Sequence, residues 1–558
     1  MYRILLLCIA VLFSTCKTQN GQLQKEITAK NGAVASAHTL ASQIGVDIMK
    51  KGGNAIDAAI AVQFALAVVY PRAGNIGGGG FMVYRQANGE SFALDYRELA
   101  PKGASEDMYL DSLGNVIPKK STHGFLAGGV PGTVDGMDQA FQRFSKLKDW
   151  AALITPAIKL AEEGFYPHEI QVEDILKSQA DIKKYSPEEN AFTGEISVNN
   201  KIVQTELAAV LKEIAQNGKY GFYTGWVADK FADAMKNNGG VINNLDLIHY
   251  KSKWRVPAIS YYRNRRIITM PLPSSSGVIL PQVFEMMENF DLSSHGFHSP
   301  DAMHIVAECE RRSYADRALH LGDPDYVRVP LYNLMHSDYL RDRVASIDLN
   351  KATPSAEIRG GIFQDSEETT HYSVVDEEGN CVSVTTTLNG AYGSKVVIPG
   401  LGFFLNNEMD DFSVKPGVPN IYGLVGGEQN KIAPGKRMLS SMSPTIVEKD
   451  NKPMLVVGSP GGSTIPTTVI QVISNMLDFG MDVKSAVNAP RFHHQWLPDN
   501  LFVEENEFDQ LTLDALRAKG HEVKERPRIG QVNAIHIDAY GIKTAVGDKR
   551  KYNAVAGY

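Results

Sequence analysis

Thr369-Thr370-His371-Tyr372-Ser373-Val374-Val375 and Cys381-Val382-Ser383-Val384-Thr385-Thr386-Thr387 flank the polar segment Asp376-Glu377-Glu378-Gly379-Asn380. Two runs rich in β-branched residues around a glycine-containing break read as a β-hairpin. Pairing Val375 with Cys381 sets Thr369 opposite Thr387 on one face of the sheet. A one-residue slip would part them. A threonine held beside a second hydroxyl at the head of a strand suggests a nucleophile, and that hydroxyl needs a base. Its own α-amino group can be the base once the chain is cut just before it. An ordinary Thr-rich hairpin is the competing reading, and the hairpin alone favours it.

The flanking sequence shifts the balance. Residues 351–368, with Pro354, Gly360-Gly361 and Asp365-Ser366-Glu367-Glu368, form a polar run suited to a cleavage segment or to a plain surface loop. Together with the hairpin they point to a cut between Glu368 and Thr369. Downstream, a strand over 454–457 and a helix over 467–477 enclose Ser459-Pro460-Gly461-Gly462-Ser463. Backbone N–H groups at such a helix start can face an anion. A phosphate loop would end in Gly-Lys-Ser/Thr, which is missing here. Glu408 and Asp411 suit an ammonium or a solvated loop. Ser440 and Ser441 suit a carboxylate or a local turn. Arg97 offers a rigid fork of donors for a carboxylate, or a surface ion pair. Gly74-Asn75-Ile76-Gly77-Gly78-Gly79-Gly80 precedes a strand-like run, the reverse of a dinucleotide fingerprint, and reads as a tight turn.

The hairpin block, Leu405-Asn406-Asn407-Glu408-Met409-Asp410-Asp411-Phe412, Leu439-Ser440-Ser441-Met442-Ser443-Pro444, Gly458-Ser459-Pro460-Gly461-Gly462-Ser463 and Asp95-Tyr96-Arg97-Glu98 resemble the signature blocks of γ-glutamyltranspeptidases, also called glutathione hydrolases. The resemblance runs over nearly the whole chain after its leader. It implies an α/β fold, a four-layer αββα sandwich of the N-terminal-nucleophile type, built as one intertwined domain by both halves of a self-cleaved precursor. Residues 17–368 would be the large subunit and 369–558 the small one, forming a heterodimer. Thr369 is then the nucleophile, Thr387 orients it, and Gly461 and Gly462 form the oxyanion hole. Arg97, Ser440 and Ser441 would hold the substrate's α-carboxylate, and Glu408, Asp411 and Asn389 its α-amino group. Tyr422 would cover the pocket from a lid at 415–427. The implied donors are glutathione and other γ-glutamyl compounds, and the acceptors water, amino acids or peptides, with no cofactor and no metal.

The 558 residues carry a net charge of −7, which argues against a nucleic-acid partner. Arg3 followed by apolar residues 4–13 and Ser14-Thr15-Cys16 is too short to span a membrane and reads as a signal peptide over 1–16. Cys16 stands where a bacterial lipoprotein would be lipidated; ordinary cleavage nearby is the alternative. Either way the expected location is outside the cytoplasm, periplasmic or lipid-anchored. Cys309 and Cys381 read as buried small hydrophobes without zinc spacing. The adjacent His493 and His494 point to opposite faces of an extended chain and read as structural. Residues 55–69 read as a buried helix, and Ser299-Pro300 as a helix start whose Arg311, Arg312, Asp316 and Arg317 form a solvated or salt-bridged face. Two other functions compete: a glutaryl-β-lactam acylase of the same fold, and an exported binding protein without catalysis.

Overall fold

The expected register is the observed one. A computed structural model describes residues 23–358, 369–418, 420–421, 423–424 and 426–558. Thr370–Val375 pairs antiparallel with Cys381–Thr387, Val375 opposite Cys381 and Thr370 opposite Thr386. Thr369, one residue before the strand, therefore faces Thr387. The leader with Cys16, Glu368 and Tyr422 lie outside the described residues.

The hairpin lies at the centre of a seven-stranded sheet ordered Ala554–Gly557, Ala33–Ser36, Thr370–Val375, Cys381–Thr387, Gly79–Arg85, Ser91–Asp95, Lys253–Arg255. A second seven-stranded sheet runs Glu26–Ala29, Lys543–Gly547, Asn533–Ile537, Lys452–Gly458, Thr445–Lys449, Arg265–Thr269, Ala258–Tyr262. Both sheets thus contain strands from before and after Thr369. Between them lies a core of Phe81, Val83, Val375 and Cys381 from one side and Ile268, Ile446, Val456 and Ile535 from the other.

The pleat sorts the remaining side chains outward. Tyr372, Val374, Val382 and Val384 pack on the helical layer that contains Thr39–Lys50 and Ala55–Val69. Ile267, Val447, Leu455 and Val457 pack on the opposite layer, which contains Ser276–Met287, Pro300–His320 and Ile465–Leu477. The four layers are helix, sheet, sheet, helix, as expected. Ala55–Val69 is apolar on every side because every side is buried. Asn54 and Asp57 close its start with a capping box.

Pro300–His320 begins, as read, with Ser299 as cap and Pro at its first turn, and of the two readings of its charged face the salt-bridged one holds, with the pairs buried: Arg311, Arg312 and Asp316 are each 1% exposed. Arg311 and Arg312 share Glu308, at 3.1 and 2.6 Å, and Arg343 pairs with Asp316. Partners within one turn and far along the sequence together allow these charges to be buried. Among the described residues no helix is long and apolar enough to cross a membrane.

Candidate active site

Thr369 and Thr387 are both buried, at 5% and 2% exposure. The Asn389 backbone N–H donates to Thr387 Oγ1 at 2.6 Å, which fixes the second hydroxyl just past the strand end. Asn389 sits there at φ +70°, a left-handed conformation that Asn tolerates, and its Nδ2 donates to the Asn407 carbonyl at 3.0 Å. His371, two residues along, is no base for Thr369. Its ring is sealed between the sheets, Nδ1 2.9 Å from Thr385 Oγ1 and Nε2 3.1 Å from Ser373 Oγ, and burial pushes its pKa down to about 3. Gly458 makes room for it, since a Cβ there would stand 2.4 Å from the ring.

Thr369 opens onto a cleft of about 270 Å³ whose walls include Arg97, Arg317, Thr387, Asn389, Asp411, Leu424, Ser440, Ser441, Met442 and Gly462. Eight of the expected residues therefore meet here, from segments hundreds of positions apart. Arg97 Nη1 donates to Glu408 at 2.5 Å, Nη2 binds Asp411, and Glu98 Oε2 lies 3.5 Å from Nη1. Glu408 is wholly buried behind Arg97 and is absent from the cleft wall. Arg317 Nη2 donates to Ser441 Oγ and its Nε to Ser275 Oγ, both at 3.3 Å. Burial pulls Arg317 down to about 10, so it stays charged at neutral pH. Burial raises the pKa of all three neighbouring acids, with Arg97 opposing: Glu98 to about 8, and Glu408 and Asp411 upward too. Two cations thus face three acids whose ionisation burial opposes.

The turn between strand Lys452–Gly458 and helix Ile465–Leu477 brings in the last parts. Gly461 (φ +138°) and Gly462 (φ +52°) adopt backbone angles that side chains disfavour. Thr464 pins the turn: its N–H and its hydroxyl each donate to the Gly461 carbonyl at 2.9 Å. The Tyr314 hydroxyl donates to the Ser463 carbonyl. Gly462 lines the cleft, while Gly461 lines an adjoining hollow with Thr369, Pro460, Arg528, Gly530, Gln531 and Lys551. The segment expected as a lid reaches the site: Asn420 Nδ2 donates to Asp411 at 2.9 Å, the Ile421 N–H to Asp410 at 2.8 Å, and Leu424 lines the cleft.

The Gamma-glutamyltranspeptidase family model matches residues 41–558. The chain belongs to that family. The glutathione hydrolase proenzyme of Escherichia coli (strain K12) is 47% identical over 539 residues, covering 95% of this chain and 93% of that one. The γ-glutamyltranspeptidase structure from Helicobacter pylori is 43% identical with a TM-score of 0.57, covering 62% of this chain and 97% of that one. Cephalosporin acylase from Bacillus halodurans superposes with a TM-score of 0.83 over 98% of this chain and 99% of that one; at 24% identity the likeness is one of fold. The protein is an enzyme with the self-processing N-terminal-nucleophile architecture.

In this family member the one group of metal-type ligands among the described residues is His304, Glu308 and His521. Its lone pairs are spent. His304 Nε2 lies 2.8 Å from the Asp348 carbonyl and must donate, so Nδ1 accepts from His521 Nε2 at 2.8 Å. His521 Nδ1 faces Arg311 Nη2 at 3.5 Å, and Glu308 serves two arginines. The cluster is a satisfied hydrogen-bond chain. Sequence reading missed one residue lining the cleft, Arg317, and one buried against its Arg97, Glu98. Arg317 was read as part of a solvated or salt-bridged face, and Glu98 was quoted without a role. Helical spacing from Tyr314 to Arg317, one turn apart, is the signal that groups Arg317 with the residue supporting the glycine turn.

Proposed function

We propose that this enzyme cuts its own chain between Glu368 and Thr369, then moves γ-glutamyl groups from glutathione and related γ-glutamyl compounds to water, amino acids or peptides. The observation that carries the reading is the meeting of Thr369, Thr387 and Gly462 with Arg97, Asp411, Ser440 and Ser441 at one buried cleft. In maturation the Thr369 hydroxyl attacks the Glu368 carbonyl. The C–N bond breaks, the hydroxyl proton goes to the released amine, and water opens the ester to leave Glu368 as a carboxylate. The freed α-amine, with a reference pKa of about 7.7–8.0, serves as general base near neutrality. In turnover it takes the Thr369 proton, Oγ attacks the γ-carbonyl, and N–H groups of Gly461 and Gly462 stabilise the oxyanion. The proton passes to the leaving amine as the C–N bond breaks; water or an amino group then attacks the ester.

The Arg97 network supports a zwitterionic head. Its guanidinium is occupied by Glu408 and Asp411, so a substrate carboxylate enters by exchange while its ammonium takes the released acids. A glutaryl group would bring the carboxylate alone and leave those acids without a cation. Comparing γ-glutamyl-anilide with glutaryl-anilide separates the two; faster glutaryl cleavage would favour the acylase. Thr369→Ala is expected to stay a single chain on denaturing electrophoresis and to lose turnover. A cleaved, active T369A protein would contradict the assignment. We further infer export through the leader in residues 1–16, giving subunits 17–368 and 369–558 after ordinary cleavage, or a large subunit that keeps Cys16 as its first residue where Cys16 is lipidated.

A further inference from the structure

The peptide leading toward the scissile bond is gripped by side chains from beyond it. Trp496 Nε1 donates to both the Ser355 carbonyl, at 3.0 Å, and the Ile358 carbonyl, at 2.9 Å. Asp499 accepts from the Ser355 N–H at 2.7 Å, and Arg311 Nη1 donates to Ser355 Oγ at 2.6 Å while also binding Asp499. Upstream, Thr353 N–H donates to Glu308 at 3.1 Å and Ala352 N–H to the Lys519 carbonyl at 2.7 Å. Trp496 is 1% exposed and sits at φ +70°, an outlier for so bulky a residue. Such a conformation persists only where its surroundings enforce it and clusters at functional sites. Here it aims the indole N–H at the strap.

The clamp shares a helix with the cleft. On Pro300–His320, Arg311 holds the strap, Tyr314 holds the Ser463 carbonyl beside the glycine turn, and Arg317 lines the cleft. Arg311 and Arg317 are about 9 Å apart along the axis at 1.5 Å per residue. Ile358 lies eleven residues before Thr369 in the sequence. Holding one end of that connection limits where its other end can go, which favours a scissile carbonyl dwelling near a nucleophile.

We propose that Trp496, Asp499 and Arg311 are positioning residues for self-cleavage, and that they afterwards retain residues 352–358 as the docked end of the large subunit. The inference rests on the self-cleavage proposed above. Trp496→Phe keeps the ring and removes the N–H; Asp499→Asn keeps the volume and removes the charge. Precursor-to-subunit conversion is timed by denaturing electrophoresis, and the matured fraction is assayed with γ-glutamyl-anilide and melted. Each variant is expected to mature about tenfold more slowly, since buried carbonyls or a guanidinium lose partners. Its matured kcat and KM should stay within twofold of wild type. Maturation at the wild-type rate overturns the clamp, as does loss of turnover and Tm in step with maturation, which would mark a merely structural role. If W496F fails to fold, D499N decides alone. A wild-type chain that remains whole overturns self-cleavage and clamp together, whereas a wild type that cuts beside variants that cut equally fast overturns the clamp only.

Discussion

Neither carboxylate oxygen of Glu98 has a hydrogen-bond partner among the described residues, although the side chain is wholly buried 3.5 Å from Arg97. Burial pushes its pKa up to about 8. The sign follows from linkage: between the ordinary carboxyl range, about 4.3, and about 8 the unfolded chain loses this proton while the folded chain keeps it. Glu98 therefore costs stability progressively as pH rises through that window. Glu98→Gln, neutral throughout, is expected to raise Tm at pH 9 and to change it little at pH 4. Calorimetry at the two values checks this, and equal melting at pH 9 would mean that folding does not raise the Glu98 pKa. At this scale the sequence marked Arg97, Glu408, Asp411, Ser440 and Ser441 through the resemblance of their blocks, yet it could not show that Arg97 would be enclosed by the acids assigned to the substrate. That contact joins residues more than three hundred positions apart.

Among the elements, the hairpin was the most legible, because a period of two and a short polar break leave little freedom of register. The glycine turn was legible for a similar local reason: a strand, two glycines and a helix start define where backbone N–H groups emerge. Gly461→Ala tests it. A Cβ there would stand 2.5 Å from Thr464 Oγ1, at a φ of +138° that alanine resists. Displacing one oxyanion donor is expected to lower kcat by about 10²–10³-fold with KM little changed, and to slow self-cleavage in parallel. Steady-state kinetics on the matured protein provide the check; an unaltered kcat would remove this N–H from the mechanism. The helix Pro300–His320 stayed open between a solvated and a salt-bridged face for the opposite reason: its partners Asp499 and Arg343 lie on other segments, so spacing alone cannot show that its charges are paired and buried.

Across the whole molecule, both sheets contain strands from either side of Thr369, and the junctions between them (Ala33–Ser36 beside Thr370–Val375, Cys381–Thr387 beside Gly79–Arg85, Thr445–Lys449 beside Arg265–Thr269) join segments far apart in the sequence, an order that no reading of consecutive segments supplies. The four-layer plan came from the resemblance, not from periodicity. Interleaving implies that the cut enzyme stays one particle: gel filtration in native buffer is expected to give a single peak containing both subunits, which part only in denaturant. Separation by dilution alone would contradict the sheet order. The same topology closes the polypeptide on itself. The Val555 N–H reaches the Gln24 carbonyl at 3.0 Å, and the Asn31 N–H reaches Tyr558 O at 2.8 Å. A permuted gene that bridges this seam and starts translation at Thr369 would make a catalyst whose reactive amine is supplied by methionine trimming, with no proteolytic birth at all.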